Sequence, residues 1–529
     1  TDLNLSARFR DNLSKTMKYF AEFYRILERF HEPRIETIDR EFRAKKQSRE
    51  FQLYEGIGKS LFPNDTAAAG TLYEQARPDA SKYSSLKNRL KVRMLNSLFH
   101  LNLKRAGFSD AAQALYIGHR RQFMVNVLIM LGASRAAKRM AETTLDLAQQ
   151  FELTNVALEM ARVLRQYASN MGQIQKFDFY NKLLKSLQVK YEEELLSAEY
   201  FQRIGVVFRR KTAGRFRYVE EFEGYKSELQ GLLNENSSYN FRLNYHRVHA
   251  ASSEAAGDHL GAIEGSKAAL QFLDSVPRLL QRERKADFWL YQFRNYRGLE
   301  DFDAATEAAA QCAVYYSAGS NNWFAFAIEK VLLLMNTLQI REANELFNEV
   351  TTHERFPAQS DISREHWEVF KFYLLLAQRS QPDYDPNVQP HKFNFGIFER
   401  KVMEARKDKE GMNVLVRIAH IIHLIESGKY DEVDNAVTAL GDYRRRHIQA
   451  SMTPRSSLFM QLLRTMVKYS YSHKACRSNG RKTYERLQTE KFLIINSDQE
   501  IQVLPYPWLW DRLIEQMKAN EEKVASRYR

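Results

Sequence analysis

Cysteine and histidine side chains that stand close together in the chain are the first candidates for chemistry. Cys476 follows His473 by three residues, and a thiol beside an imidazole is the pair that a nucleophilic catalyst requires. Such a pair also needs a third group that orients the base. The neighbours here are Lys474 and the Asn479-Gly480 pair, a basic stretch that resembles a loop and supplies no such group. We therefore predict no catalytic residue and no enzymatic activity.

Histidines at helical spacing are candidates for a metal site. His246 and His249 are three residues apart with His259 nearby, and His420 and His423 form a second pair. Protein metal sites usually combine histidine with cysteine or carboxylate ligands at set spacings. No such ligands accompany these histidines at that spacing, so we expect no metal and no other cofactor.

A short stretch, Gly56-Ile57-Gly58-Lys59-Ser60, ends like a phosphate-binding loop. That motif requires another glycine five residues before its Gly-Lys pair, and it follows a strand. Position 53 is Leu53, and residues 49–54 have a helical pattern. We therefore interpret Gly58-Lys59-Ser60 as a turn after a helix.

A stretch near the middle of the chain predicts a helical hairpin. Gly257 suits a tight turn, Asp258 suits the N-cap of the next helix, and the small residues Ala262 and Ala269 suit positions where helices cross closely. Five further stretches carry the pattern, and the positions equivalent to Ala262 are Ala137, Phe177, Ala305, Ala343 and Val433. The six positions are separated by 40, 85, 43, 38 and 90 residues. The two long gaps predict one additional helix pair each, with a mean unit of roughly 42 residues.

The residues Gly257-Asp258-His259, Ala262-Ile263 and Ala269-Leu270 resemble the tetratricopeptide repeat, a helix-turn-helix unit of about 34 residues. His259 stands where that family has an aromatic residue, and Pro277 comes late. The resemblance implies a bacterial-type, all-α, right-handed α-solenoid of about eight helix pairs. It also implies a concave groove that binds a protein or peptide. An irregular all-helical domain is the alternative.

Composition supports a helical protein and suggests three regions. Only 21 Gly and 11 Pro occur in 529 residues, and apolar spacing of three and four predicts helix over about three quarters of the chain. We expect an N-terminal helical cap at 1–62, a repeat solenoid at 63–450 and a C-terminal capping region at 451–529. In the last region, residues 492–496 and 500–504 suggest a small β-hairpin. The cap carries an apolar stripe, formed by Phe20, Phe23, Tyr24, Ile26, Leu27 and Phe30.

The first helix of each repeat lines the concave side in the family that the chain resembles. Counting back from each predicted turn gives polar and charged candidates for a partner-binding groove. They are His119, Gln122, Asn126, Glu159, Arg162, Gln166, Asn244, Arg247, Glu254, Arg294 and Arg297.

The net charge of +14 is concentrated in three blocks, 82–139, 203–217 and 444–491, which carry +11, +6 and +10. Such blocks suit phosphate contacts or an acidic protein. The candidate residues for polyanion or acidic-partner binding are Lys87, Arg89, Lys91, Arg93, Arg209, Arg210, Lys211, Arg215, Arg217, Arg444, Arg445, Arg446, Arg477, Arg481 and Lys482. Aromatic residues among them, such as Phe208 and Tyr484, are of a type that stacks on unpaired bases. The alternative is that the basic residues form solvated helix faces and that the aromatic residues belong to the core, which is the more frequent role of these residue types.

Three functional classes follow. The first is a non-enzymatic scaffold or adaptor that binds a partner protein or peptide. The second is a nucleic-acid-associated accessory subunit, and the third is a ligand or peptide sensor that controls a separate effector chain. Two distant cysteines, a polar N-terminus and the lack of an apolar run of about 18 residues predict a cytoplasmic protein without a membrane span.

Overall fold

The structure is a computed structural model. It describes residues 37–59, 61–62, 64–73, 81–105, 107–209, 218–279, 283–381, 396, 412–447, 454–490 and 502–527. These residues are helical throughout, apart from turns and short connections, and they contain no strand. The chain divides into two compact units, Thr1–Tyr191 and Glu192–Arg529.

Unit 1 contains seven described helices and the beginning of an eighth. They are α1 (Arg40–Ala44), α2 (Arg49–Gly58), α3 (Asp65–Leu72), α4 (Ser81–Ser97), α5 (Asp110–Met130), α6 (Ser134–Gln150), α7 (Thr154–Asn170) and α8 (Ile174–Arg209), with a 3-10 turn at Leu98–His100. Side-chain oxygens of Asp39, Ser48, Asn64 and Ser109 cap α1, α2, α3 and α5 by accepting backbone N–H groups. The four helices from α1 to α4 share one apolar cluster, and the four helices from α5 to α8 share another.

Unit 2 begins inside α8 and contains thirteen further described helices. They are α9 (Val219–Leu232), α10 (Tyr239–Ala255), α11 (His259–Ser275), α12 (Arg284–Gly298), α13 (Phe302–Ala313), α14 (Asn321–Asn336), α15 (Ile340–Thr352), α16 (Asp361–Gln378), α17 (Met412–Glu426), α18 (Tyr430–His447), α19 (Pro454–Lys468), α20 (His473–Thr489) and α21 (Tyr506–Arg527). Most helices that follow one another in sequence pack together within each unit. This all-helical, repeat-rich arrangement is consistent with a helical solenoid.

The predicted repeat turns share one backbone geometry. A residue with positive φ stands five positions before each predicted repeat position, and these residues are Gly132, Gly172, Gly257, Glu300, Leu338 and Gly428. The residue after each one donates its N–H to the carbonyl five residues back, as in the bonds from Ala133 to Leu128 at 2.8 Å and from Asp258 to Ser253 at 2.9 Å. This is the Schellman ending of a helix, for which glycine is the favoured residue. The six predicted turns are therefore confirmed.

The small repeat residues are buried where adjacent helices cross. Ala137, Ala262, Ala305, Ala343 and Val433 are all buried, whereas Phe177 is half-buried. The structure adds turns of the same kind at Glu152 and Ser470, which the spacing did not reveal. The first long gap contains the 36-residue helix α8 and the additional helix α9. The second contains α16 and a stretch that lies outside the described residues.

The last eight helices share one apolar core that runs from Trp323 to Met517. Asn336 at the end of α14 donates from Nδ2 to the carbonyls of Gln502 (2.7 Å) and Val503 (3.2 Å). Asn520 of α21 donates to the carbonyl of Ile425 (2.8 Å). Residues after α20 therefore fold back onto α14 and α17, whereas a repeat in a simple stack contacts only its neighbours.

Two expectations for the C-terminal region are corrected. Residues 491–501, which include the first predicted strand of the hairpin, lie outside the described residues, and residues 502–504 are not in a strand. The hairpin is therefore not borne out. The stretch around Cys476 is the helix α20 and not a loop. Its Gly480 lies against Trp510 of α21, where a Cβ atom would come within 3.0 Å, so packing determines the helix despite the Asn-Gly pair.

The division between the units, at Tyr191 and Glu192, lies inside α8 and was not apparent from composition. The predicted boundaries near residues 62 and 450 stay predictions. Across the helices that the structure describes, none has both the length and the apolar character required to cross a bilayer.

Candidate partner-binding site

One face of α5 in unit 1 exposes a row of side chains with one residue per helical turn. The row consists of Leu115, His119, Phe123, Asn126 and Met130, and we call it the α5 face. Its three apolar members are 38%, 56% and 76% exposed, in chain order. His119 and Asn126, two of the predicted groove residues, lie between them and are also exposed. The structure therefore places predicted polar residues among large apolar ones that the prediction had not included.

The opposite side of α5 is buried, and this fixes the direction of the α5 face. Ala114, Gly118 and Val125 are buried against neighbouring helices. A Cβ atom on Gly118 would come within 3.1 Å of Leu153 Cδ1, so the glycine permits the close approach of that residue at the start of α7. Small residues on one side and large apolar residues on the other make α5 a helix that is apolar on both sides, which a solvated helix normally is not.

The segment after α4 is bonded to α5 and extends its apolar surface. Tyr116 donates its hydroxyl to the carbonyl of Leu98 (2.7 Å) and accepts the backbone N–H of Leu101 (3.2 Å). Arg120 donates to the carbonyl of Phe99 (3.0 Å). The rings of Phe99 and Phe123 lie 5.7 Å apart, and both are about half exposed.

The next predicted groove residues lie on α7, each 40 residues after its counterpart on α5. Arg162 donates two hydrogen bonds to Glu159, at 2.9 and 2.7 Å, and Gln166 donates to Asn170 at 3.0 Å. Arg162 and Gln166 are exposed, and Glu159 is half-buried. Gln122, the remaining candidate on α5, is also half-buried. These contacts are local to α7, so the outer side of the Arg162 guanidinium remains accessible.

The predicted groove residues of unit 2 are used inside the unit. Arg247 of α10 forms an ion pair with Asp287 of α12, and Glu254 of α10 forms a two-bond pair with Arg294 of α12. Arg297, which is buried, pairs with Glu329 of α14 at 2.7 Å. Asn244 donates to Ser197 at 3.3 Å. We call the two pairs between α10 and α12 the charge ladder.

The charge ladder sets the register of α10 against α12. Both of its pairs join residues that are 40 positions apart. Each helix carries its two charged residues seven positions apart, with the positive charge first on α10 and the negative charge first on α12. A slip of two turns would bring like charges together, which destabilises the wrong alignment. Burial lowers the pKa of Arg294, but attraction by Glu254 and Glu329 outweighs it, so the net pKa rises and the group stays charged.

The basic candidates fall into three groups. Lys87 pairs with Asp65 at 2.8 Å, and the half-buried Arg93 pairs with Glu50 at 2.8 Å, so acids from α2 and α3 offset part of the first block. Arg89, Lys91, Arg477 and Lys482 are exposed, and Arg481 pairs with Glu485 within α20. The side chains of the remaining candidates lie outside the described residues; these are Arg209, Arg210, Lys211, Arg215, Arg217, Arg444, Arg445 and Arg446.

The thiol and imidazole that suggested chemistry are separated by their environments. Cys476 is buried, and burial raises the pKa of its thiol to about 11, so it is protonated near neutral pH. His473 instead contacts Glu521, with Nδ1 2.6 Å from Oε2. A protonated, buried thiol is a poor nucleophile.

The other chemical candidates have structural roles. His246 and His249 pack against Tyr245, and burial is the main cause that lowers the pKa of both imidazoles. In the part of the chain that the structure describes, no three His, Cys, Asp or Glu side chains are arranged to hold a metal ion. Gly58 ends α2, and Lys59 follows it as the C-cap residue.

Comparison with known proteins gives no relative for this chain: no protein-family model, curated protein or solved structure matches it.

Proposed function

We propose that this chain is a non-enzymatic interaction scaffold that binds a partner protein or peptide on the α5 face. The finer architecture that we propose is a right-handed solenoid of tetratricopeptide-like hairpins, whose first helices carry the binding residues. We further propose a cytoplasmic location, which the two buried free thiols, Cys312 and Cys476, support.

The observation that carries the proposal is the exposure of Leu115, Phe123 and Met130 in one row, continued by Phe99. Single exposed apolar residues are normal on a protein surface, but contiguous ones mark interaction sites. Aromatic side chains and methionine are also enriched in protein interfaces. The row has the spacing at which one helix faces another, so an extended partner helix fits it.

Charge complementarity favours an acidic partner. Twelve Lys or Arg residues and one acid lie between Lys82 and Arg139, the part of the chain that includes the α5 face. Lysine and arginine at the edge of an apolar patch attract a partner of opposite charge and raise its association rate. The proposed partner segment is therefore an amphipathic helix with apolar residues on one side and Asp or Glu on its flanks.

The test compares two exposed phenylalanines of unit 1. Phe123 on the α5 face and Phe179 on α8 are 56% and 61% exposed, so each accepts glutamate without a buried charge. We expect Phe123→Glu to abolish capture of a specific host protein that the wild type and Phe179→Glu both retain. The captured protein is then titrated in purified form, and Phe123→Glu should weaken its affinity by about tenfold or more. Equal capture by all three chains, or by none, would contradict the proposal.

A second candidate function, nucleic-acid binding, is favoured by the exposed basic side of α20. Lys474, Arg477 and Lys482 are exposed there. The side chain of Arg481 is 78% exposed, and it forms an ion pair with Glu485 of the same helix. Anisotropy titration with a single-stranded oligonucleotide at several salt concentrations tests it. Arg477→Glu should weaken binding and reduce the salt slope by about one. Absence of binding at low salt would remove this candidate.

A further inference from the structure

Unit 1 contains a cleft between α4 and the two preceding helices, α2 and α3, and its volume is about 580 Å³. Small-molecule sites in proteins usually have volumes of roughly 300–1,000 Å³ and mostly apolar walls. One face of α4 forms the longest wall, because its lining residues recur every three or four positions. They begin at Tyr83 and Lys87 and continue through Lys91 and Met94 to Leu98 in the 3-10 turn. The cleft therefore has the size and the construction of a ligand site.

The other wall of the cleft is apolar and is fixed by close packing. Ile57 of α2 and Phe62, which follows this helix, are part of it. The Phe62 ring lies directly against Gly56, where the packing leaves no space for a Cβ atom. Leu61 donates its N–H to the carbonyl of Gly56 at 2.8 Å, so the turn that carries Phe62 is held at the end of α2. This wall is therefore preformed, as the walls of ligand sites usually are.

The charged residues of the cleft leave one positive charge without a partner. Asp65 at the start of α3 accepts hydrogen bonds from Tyr83 and Lys87, both at 2.8 Å. The bond from Lys87, together with that from Tyr83, lowers the pKa of Asp65, so its carboxylate stays ionised and offsets the charge of Lys87. Lys91, one turn further along α4, is exposed and has no hydrogen bond or ion pair within the described part of the chain. The Lys91 ammonium is therefore available to an anionic group of a ligand.

Beyond Lys91, the part of α4 that lines the cleft is apolar. Met94, Leu95 and Leu98 follow there, and no polar lining residue comes after Lys91 along this described wall. The rise from Lys91 to Leu98 is about 10 Å. A ligand that matches both parts of the wall has one negative group and an apolar chain that extends from it.

We propose that this cleft binds a single-chain amphiphile with one anionic head group, such as a long-chain carboxylate. The carboxylate contacts the Lys91 ammonium, and the alkyl chain lies against Met94, Leu95 and Leu98. The charge-assisted hydrogen bond fixes the head group, and removal of apolar surface from water drives the binding of the chain. The inference goes beyond the proposed function, because the ligand is a small molecule and the site is not the α5 face.

Isothermal titration calorimetry of the full chain tests the proposal with carboxylates of increasing length, each below its critical micelle concentration. We expect one molecule of dodecanoate to bind per chain, and each methylene from octanoate to dodecanoate to tighten binding about fourfold. Dodecanol has the same chain without the charge, and it should bind about fivefold more weakly than dodecanoate. Equal affinity for all chain lengths, equal affinity for the alcohol and the carboxylate, or the absence of binding would overturn the proposal.

A matched pair of variants locates the alkyl chain. Met94 and Val92 are both on α4 and 44% exposed, but only Met94 lines the cleft. Met94→Gln should weaken dodecanoate binding about tenfold, because the amide reduces the apolar surface against the chain, whereas Val92→Gln should leave it unchanged. If the two variants have the same affinity, the chain does not lie in the cleft.

A second pair locates the head group. Lys91→Gln should weaken dodecanoate binding about fivefold and leave dodecanol binding unchanged. Lys82→Gln is its control, since Lys82 is also exposed on α4 but does not line the cleft. Equal effects of the two variants would show that Lys91 does not hold the carboxylate. Binding to phosphatidylglycerol vesicles without binding to free dodecanoate would indicate a membrane surface and would also refute the proposal.

Discussion

Loss of one partner from the charge ladder should destabilise unit 2 more than loss of both. The pair Glu254–Arg294 is the clearest place to measure this, because its two hydrogen bonds are short and its side chains are only 16% and 27% exposed. Glu254→Leu leaves the guanidinium of Arg294 in the same partly buried position without its carboxylate. Asn295 also loses a long hydrogen bond to Glu254, at 3.4 Å.

The expected magnitude follows from this partial burial. Removing one partner of a fully buried ion pair costs about 3–5 kcal/mol, whereas replacing both with apolar residues is often nearly neutral. Water reaches part of the Arg294 side chain, so we expect Glu254→Leu to lower the free energy of unfolding by about 2–3 kcal/mol. The double variant Glu254→Leu/Arg294→Met should lose about 1 kcal/mol or less, because no charge is left unpaired.

Tryptophan fluorescence during urea unfolding provides the assay. All five tryptophans belong to unit 2, and they are Trp289, Trp323, Trp367, Trp508 and Trp510. The signal therefore reports the unfolding of that unit and is insensitive to unit 1. A double-mutant cycle on Glu254 and Arg294 gives their coupling energy, which we expect to be about 2 kcal/mol.

The control cycle uses Arg481 and Glu485 of α20, whose side chains are 78% and 55% exposed. Exposed pairs of this kind contribute about 0.5 kcal/mol or less. If the ladder pair shows a coupling energy as small as that of the control pair, the charge ladder does not set the register and our reasoning about α10 and α12 is wrong.

Three further outcomes are expected in unit 2. Gly257 has a φ of +75°, so Gly257→Ala should lower the free energy of unfolding of unit 2 by about 1 kcal/mol in the same assay. Leu338, at an equivalent turn, has a φ of +56°, so Leu338→Gly should raise that free energy by about 0.5 kcal/mol. Changes of the opposite sign would contradict the turn assignment. Burial lowers the pKa of His246 to about 4, so between pH 6.5 and 4 only the unfolded chain gains this proton. The free energy of unfolding should then fall by about 1–2 kcal/mol from pH 7 to pH 5. If a His246→Gln variant shows the same fall, His246 is not the group that causes it. Burial raises the pKa of Cys312 to about 12 and that of Cys476 to about 11, so iodoacetamide at pH 8 should label both only after urea is added, as counted by intact mass.

The turns were predictable because their geometry depends on residues that are adjacent in sequence. Gly132, Gly257 and Gly428 supply positive φ at low cost, and a fixed spacing of five residues links each to its buried repeat residue. Glu300 and Leu338 adopt the same backbone without glycine, and only the spacing identified them. Packing and hydrogen bonding in the turn outweigh the intrinsic cost of a side chain in that region.

The candidate site was predictable only in part, because side-chain direction depends on neighbouring helices. His119 and Asn126, which were predicted to lie on the first helix of a hairpin, are exposed on α5, but the apolar Phe123 and Met130 beside them were not among the predicted groove residues. Arg247 and Arg294 were predicted to face a partner, and both are used within the unit. The common offset of 40 residues between opposite charges was a usable signal for these pairs. The boundary within α8 left no local signal, since a continuous helix crosses it.

The bond from Asn336 to residues 502–503 has a consequence for biosynthesis. The apolar clusters of the hairpins before α14 are formed mainly with neighbouring helices, so these hairpins can begin to fold as they leave the ribosome. The shared core from Trp323 onward must wait until α21 has been translated, because Leu513 and Met517 belong to it. During that interval its leucines and phenylalanines are exposed, and transiently exposed apolar surface of this kind promotes aggregation.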